Sequence, residues 1–351
     1  MTIQTIILFI IIFGIVVISH ELGHFLLAKA GGIHVVEFSV GMGPTLLSFQ
    51  KGETKYSLKL LPIGGACMFE GEDGLNQEDE GSPGAFPNAN VWRRISTVAA
   101  GPIFNFILGF IIALAMVNMI VIRDPVATEV LEGGAAMEAG LQDGDRIIAL
   151  NGERVYLYEE ILLFNVLYRG GEVELVYERD GQRYTTLITP KYSEENGRYM
   201  LGFSNADFVE LQGTDALRYA WYEMRYNVKN TYKSLGMLLS GQVSRKDVAG
   251  PVGIANMVGQ TYEQARKYGW RDVLVNMMNI TLMLSVNLGI LNLLPIPALD
   301  GGRLVFLFVE VIRGKPIPPQ KEGMVHFVGL MFFMLLMVVI FFNDLANLFH
   351  I

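Results

Sequence analysis

Hydrophobic residues along the chain are gathered into four long runs, separated by stretches of quite different pattern. The first extends from Met1 to Ser19 without an Asp, Glu, Lys or Arg. Residues 95–122, 273–299 and 323–343 form three more runs, of 28, 27 and 21 residues without a charge. A helix needs roughly 20 apolar residues to cross the hydrocarbon core, so four transmembrane helices are expected. Between the first two runs, residues 35–49 (VVEFSVGMGPTLLSF) and 55–69 (KYSLKLLPIGGACMF) are rich in β-branched and aromatic residues and broken by Gly41, Gly43, Gly64 and Gly65. That pattern predicts strands and turns. It is apolar for a loop, which suggests a β-hairpin dipping into the membrane where protein lines it, with a strand edge able to pair with an extended peptide. The acidic residues 70–80 read as a solvated loop.

The pattern changes again over residues 125–203. Short strands are expected around 127–131 and 146–150, a turn at Asn151-Gly152, helical periodicity over 158–168, and a hairpin of 173–178 and 184–188 turning at Asp180-Gly181. About 80 residues suit one small α+β domain. Residues 205–271 are amphipathic and aromatic, as expected of helices lying at a membrane surface. The predicted architecture is therefore a multi-pass α-helical membrane protein with a membrane-associated β region and an inserted α+β domain. Its segments are 1–124, 125–203, 204–271 and 272–351.

Composition agrees: 51% of residues are hydrophobic and 18% charged, with a mean hydropathy of +0.36, where soluble chains carry about a quarter charged residues. The first run has no Lys or Arg before it and no small-x-small cleavage site after it, so a retained helix is expected, not a signal peptide. Lys and Arg concentrate in the loops after the first and third runs (Lys29, Lys51, Lys55, Lys59, Arg93 and Arg94; Arg303, Arg313, Lys315 and Lys321). The positive-inside rule places those loops in the cytoplasm, and both termini and the α+β domain outside. A net charge of −8 and a pI near 5.3 argue against a nucleic-acid partner. Cys67 is the only cysteine, so no intrachain disulfide can form.

His20-Glu21-Leu22-Gly23-His24 closes the first run. Two histidines four apart lie one above the other on a helix and can reach one metal ion, and the glutamate beside them can take a proton from a water. Ionisable groups are costly inside membrane, so their presence there points to function. A catalytic zinc usually has three protein ligands. His34, His326 and His350 lack a partner motif and read as ordinary satisfied histidines. Asp300, at the end of the third run in NLLPIPALDGG, is the stronger candidate: an unpaired carboxylate there is expensive unless a cation neutralises it. Taken alone, Asp300 could equally just end the span.

HELGH together with NLLPIPALDGG resembles the site-2 protease family of intramembrane zinc metalloproteases, and within it the bacterial regulators that cut anti-sigma factors and signal-peptide remnants. The resemblance extends to Gly41-Met42-Gly43, to GPIFN at 101–105 and to GPVGI at 250–254, and GGAAMEAGLQDGDRIIALNGERV resembles the centre of a bacterial PDZ domain. It implies that His20, His24 and Asp300 bind Zn2+ and that Glu21 is the general base. It also implies that Asn292, Asn105, Gly41 and Gly43 meet substrate. The expected partners are single-span membrane proteins and the lipid bilayer, in a bacterial cytoplasmic membrane. One PDZ-like copy stands where better-known relatives carry two, which leaves open whether it binds a peptide end or filters substrates by size. The rival readings are a catalytically silent PDZ scaffold and a metal transporter. Glu21 speaks against the first, and the concentration of polar residues in one constellation against the second.

Overall fold

The computed structural model describes residues 2–72, 82–205, 208–242 and 249–349. Residues 73–80, most of the acidic stretch read as a solvated loop, lie outside them. The chain divides into two compact units, Met1–Ala113 with Asn227–Ile351, and Leu114–Tyr226.

In the first unit the four apolar runs become α1 (Ile3–Ala30), α2 (Val91–Val117), α7 (Trp270–Leu293) and α9 (Pro319–Phe349), each long and apolar enough to cross a membrane. Two boundaries differ from the apolar runs. Helix α2 begins at the turn where the Asn90 carboxamide accepts from the Trp92 N–H, and it stops at Val117, although the run continues to Ile122. The third run outlasts its helix. Pro295 and Pro297 lack the N–H a helix needs, so α7 ends at Leu293 and a separate helix, α8 (Asp300–Arg313), starts at Asp300. Helix α6 (Pro251–Ala265) packs between α1 and α7 through a shared core of Ile12, Val258, Met277 and Ile280. At its N-terminus the Asp344 carboxylate, from α9, accepts from the Gly250 and Gly253 N–H groups at 3.0 and 2.8 Å.

Strands β1 (Val35–Lys51) and β2 (Thr54–Phe69) are long enough to fold twice. Gly41, Gly43 and Gly64 have φ of 86°, 87° and 82°, a region closed to most residues, and there the strands bend. Two strands thus do the work of four: Phe38 faces Cys67 on one side and Tyr56 on the other, and Tyr56 in turn faces Phe49. Residues 65–69 form one edge of this doubled sheet. Leu46, Leu47, Phe49 and Leu60 remain exposed, in keeping with a sheet in contact with lipid.

The second unit is α+β. Its sheet has the order β5-β4-β6-β7, from β4 (Arg146–Leu150), β5 (Glu153–Arg154), β6 (Val173–Arg179) and β7 (Gln182–Ile188). A short helix, α3 (Ala135–Glu138), and two small strand pairs complete it: β3 (Glu129–Val130) with β10 (Phe203–Ser204), and β8 (Lys191–Ser193) with β9 (Arg198–Met200). The tight turns fall where Asn-Gly and Asp-Gly predict them: Asn151 and Asp180 have φ of 48° and 53°. Helix α4 (Tyr158–Leu167) covers a core that includes Ile147, Leu150, Ile161 and Leu175. Asp145, fully buried, receives two hydrogen bonds from the Arg179 guanidinium at 2.7 Å. Helix α5 (Asp215–Leu239) carries the chain out of this unit.

Candidate metal centre

The site is assembled where α1, α2 and α8 meet, and glycines allow the approach. A methyl group on Gly23 would lie 2.4 Å from the Ala100 carbonyl oxygen, so α1 and α2 touch backbone to backbone. One on Gly101 would lie 2.3 Å from His24 Nε2 and 2.8 Å from His20 Cε1, so α2 presses directly on both imidazoles. On α8, Gly301 and Gly302 face the carbonyls of Leu294 and Ile296 at 2.1 and 2.4 Å from the position of a Cβ, which turns the chain sharply and delivers Asp300.

His20, His24 and Asp300 come together, all three largely buried. Asp300 Oδ2 is 3.1 Å from His20 Nε2 and 3.4 Å from His24 Nε2, and the two nitrogens are 3.2 Å apart. The other ring nitrogens are engaged: His24 Nδ1 with the Thr97 carbonyl at 2.9 Å, and His20 Nδ1 with Asn105 Nδ2 at 3.2 Å. Turning that carboxamide over brings Oδ1, which has no other hydrogen-bond partner among the described residues, onto His20 Nδ1–H, the tautomer that frees His20 Nε2 for a metal. A backbone carbonyl can only accept, so His24 carries its proton on Nδ1 and turns the Nε2 lone pair inward. Three lone-pair atoms that face one another repel unless a cation sits among them. Their spacings equal the edges of a tetrahedron, which are about 3.3 Å for ligands 2.0–2.1 Å from zinc. The N,N,O donor set and the geometry both fit zinc.

Glu21, Gly64, Gly65 and Asn292 line, with the three candidate ligands, a cavity of about 600 Å³. A methyl on Gly65 would be 2.9 Å from Glu21 Cγ, so the sheet edge passes directly over the glutamate. On that edge the Phe69 N–H is taken by the Glu72 carboxylate at 3.0 Å, and Glu72 also pairs with Arg303. Alternation along a strand then turns the backbone groups of Cys67 and Gly65 the same way, towards the open edge. Burial pushes the Cys67 thiol up from its ordinary pKa, so it stays protonated and unreactive.

Of the four expected substrate residues, Asn292 lines the cavity. Gly41 and Gly43 sit at the bend of β1, outside the cavity lining, and Asn105 is fully buried against His20. Thr97, Gly101 and Gly65 are the site residues that sequence reasoning missed. Gly101 carried a signal, as part of the GPIFN stretch, but its contact is visible only once α1 and α2 are packed.

The sequence matches peptidase family M50 over residues 8–336. It is 34% identical to the zinc metalloprotease RasP of Bacillus licheniformis, over 99% of this chain and 100% of that one. It is also 34% identical to the regulator of sigma-W protease RasP of Bacillus subtilis, again over 99% and 100%. A PDZ domain of an SdrC-like protein from Listeria monocytogenes matches 25% of the chain and 87% of its own length, at 19% identity and a TM-score of 0.21, too low to carry an argument. The chain belongs to peptidase family M50, the site-2 proteases: it is a zinc metalloendopeptidase with helices fit to cross a membrane, and zinc is its cofactor.

Proposed function

We propose that this enzyme hydrolyses a peptide bond within or beside the transmembrane segment of single-span membrane proteins, anti-sigma factors or signal-peptide remnants among them. The convergence of three lone-pair atoms with Glu21 in one cavity carries the reading. His20, His24 and Asp300 hold the zinc. Zinc supplies Lewis acidity, polarising the scissile carbonyl and making water nucleophilic at neutral pH. Glu21 takes the proton from the attacking water and returns it to the departing amine. Asn105 and the Thr97 carbonyl orient the two imidazoles, a role whose loss typically costs about 10–100-fold in metal affinity or activity. Asn292, on the cavity wall, meets the substrate backbone.

A helical substrate must unwind before its carbonyls are accessible, and the edge at Gly65 and Cys67 offers an extended segment main-chain partners beside Glu21. Gly41 and Gly43 act on substrate only through the bend that places this edge. The PDZ-like domain governs access and takes no part in the chemistry. With four spans, the rule for Lys and Arg puts both termini and that domain outside the cytoplasm. The name of the Bacillus subtilis relative supports an anti-sigma factor as one substrate class.

The test is a peptide-mass comparison of membranes containing the active enzyme or the Glu21→Gln variant. Fragments cut inside a hydrophobic segment should appear only with the active enzyme. Equal fragment patterns in both would overturn the assignment of Glu21.

A further inference from the structure

Among the four long apolar helices, α9 buries the least, and at first sight it is a simple anchor. Its inner end touches the metal site at one place. His326 Nδ1 lies 3.0 Å from the Ala298 N–H, two residues before Asp300. One turn further along α9, a methyl on Gly329 would lie 2.5 Å from Pro297 Cβ and 2.8 Å from the Pro297 carbonyl oxygen. Residues three apart share a helix face, so His326 and Gly329 meet the same stretch of chain. One imidazole and one missing side chain form a single cradle around residues 297–298.

The turn needs such a support. Pro295 and Pro297 contribute no N–H donors, and Ala298 has φ of 73°, a left-handed conformation that alanine adopts reluctantly. Its N–H, which donates to the imidazole, is held from another helix. The Phe306 ring of α8 lies 5.5 Å from the His326 ring, centroid to centroid, and helps fix its orientation. Because Nδ1 accepts, the ring is neutral with its proton on Nε2; Nε2 makes no hydrogen bond among the described residues, its nearest carboxylate being Glu322 Oε1 at 4.0 Å.

We propose that His326, with Gly329, is a positioning residue of the metal centre: α9 clamps the 297–298 turn and thereby sets where Asp300 enters α8. The proposal rests on Asp300 being the third zinc ligand. It makes the fourth span part of the working site, acting through a backbone N–H and without touching metal or substrate.

The experiment uses the full-length chain in detergent micelles, stripped of metal and titrated with zinc against a chromophoric chelator. Cleavage of a single-span reporter peptide is measured in parallel. His326→Leu removes the acceptor and should weaken zinc binding about tenfold, the lower end for residues that orient a ligand, and lower kcat with KM little changed. His326→Asn keeps an acceptor near the Nδ1 position and discards Nε2, whose nearest carboxylate, Glu322, lies at 4.0 Å, beyond hydrogen-bond range, so it should stay within about twofold of the parent. Ala298→Gly, which accepts a positive φ without support, should restore part of the affinity lost in His326→Leu. Equal zinc affinity in the Leu and Asn variants overturns the proposal, whether both match the parent or both fall together. Should the Leu variant not fold, Gly329→Ala pushes on Pro297 instead, and an unchanged affinity there overturns the proposal equally. Asp300→Asn separates the two readings: if it leaves zinc affinity intact, the ligand assignment fails and the clamp with it, whereas if it alone weakens zinc, only the clamp fails.

Discussion

Replacing Gly101 by alanine adds one methyl group, and its consequence can be worked out from the packing of α2 on the two imidazoles. In an exposed helix the change would be favourable by roughly 0.5–1 kcal/mol, because glycine loses more backbone entropy on folding. Here the new methyl would lie 2.3 Å from His24 Nε2, 2.6 Å from His24 Cε1 and 2.8 Å from His20 Cε1, where ordinary contact begins at 3.4 Å. Relief requires about 1 Å of movement by α2 or by the rings, and rings and ligand geometry are coupled through the bonds to Thr97 and Asn105. A misplacement of about 1 Å in a reacting constellation costs on the order of 100-fold in rate. We expect Gly101→Ala to weaken zinc binding by about 10–100-fold and to lower cleavage at least as much. Chelator competition and reporter cleavage measure the two effects. Gly14→Ala is the control: it lies on α1 with nothing within 4 Å of its added methyl, and it should leave both unchanged. A Gly101→Ala enzyme with parental zinc affinity and full activity would refute the argument that close backbone approach builds this site.

Glu21→Gln should retain about one zinc per chain, as expected if the three ligands are elsewhere, and lose cleavage; substantial residual activity in purified enzyme would remove Glu21 from the role of base. Deleting residues 125–203 removes no proposed ligand, so a folded, zinc-loaded deletion variant should still cut short transmembrane substrates, and failure on every one would make the PDZ-like domain essential. A cysteine placed at residue 2 or 180 in a Cys67→Ser background should react with an impermeant thiol reagent in intact cells, and labelling at residue 55 instead would reverse the topology. In the second unit, burial, with help from the Glu159 and Glu160 carboxylates, pushes the Glu223 carboxyl up from about 4.5 to about 7. The folded state therefore holds this proton more tightly than the unfolded chain. The stability it confers is full below about pH 4.5 and is lost as pH rises through 7. The opening free energy of α4 and α5, taken from hydrogen exchange after division by the intrinsic, hydroxide-catalysed rate, should fall between pH 5 and about 8, and Glu223→Gln should flatten that fall; an unchanged profile would count against the shift.

The parts of the fold that repeat locally were the legible ones. Uninterrupted apolar length marked α1, α2, α7 and α9, and the Asn-Gly and Asp-Gly pairs marked two turns, because each property depends on a few adjacent residues. What was not legible depends on pairings across distance. The separate helix α8 lies just beyond the third apolar run, in a stretch whose Lys and Arg residues marked it only as a loop between two long helices. The double use of β1 and β2 depends on two registers coexisting on one strand, which no local pattern encodes. At the site, HELGH announces two imidazoles on one face, and the spacing alone says nothing of Thr97, 73 positions away. Asn105 was expected, from the family resemblance, to meet substrate, and its direction, inward to His20, is set by how α2 lies against α1. His326 looked like a solitary histidine because its partner is a backbone N–H, and backbone leaves no mark in a sequence.

The candidate ligands are widely separated along the chain: His24 and Asp300 stand 276 positions apart. With Asp300 as the third ligand, the growing chain carries only half a metal centre until its third long apolar helix has been made. At about 5–20 residues per second, that interval lasts roughly 14–55 s. During it the first helix holds two histidines and a glutamate with no carboxylate to complete them, so a nascent or truncated chain has no means of cutting its neighbours in the membrane. Completion of the site is thereby a record that the later helices have been inserted and packed, and proteolytic competence arrives only with the finished fold.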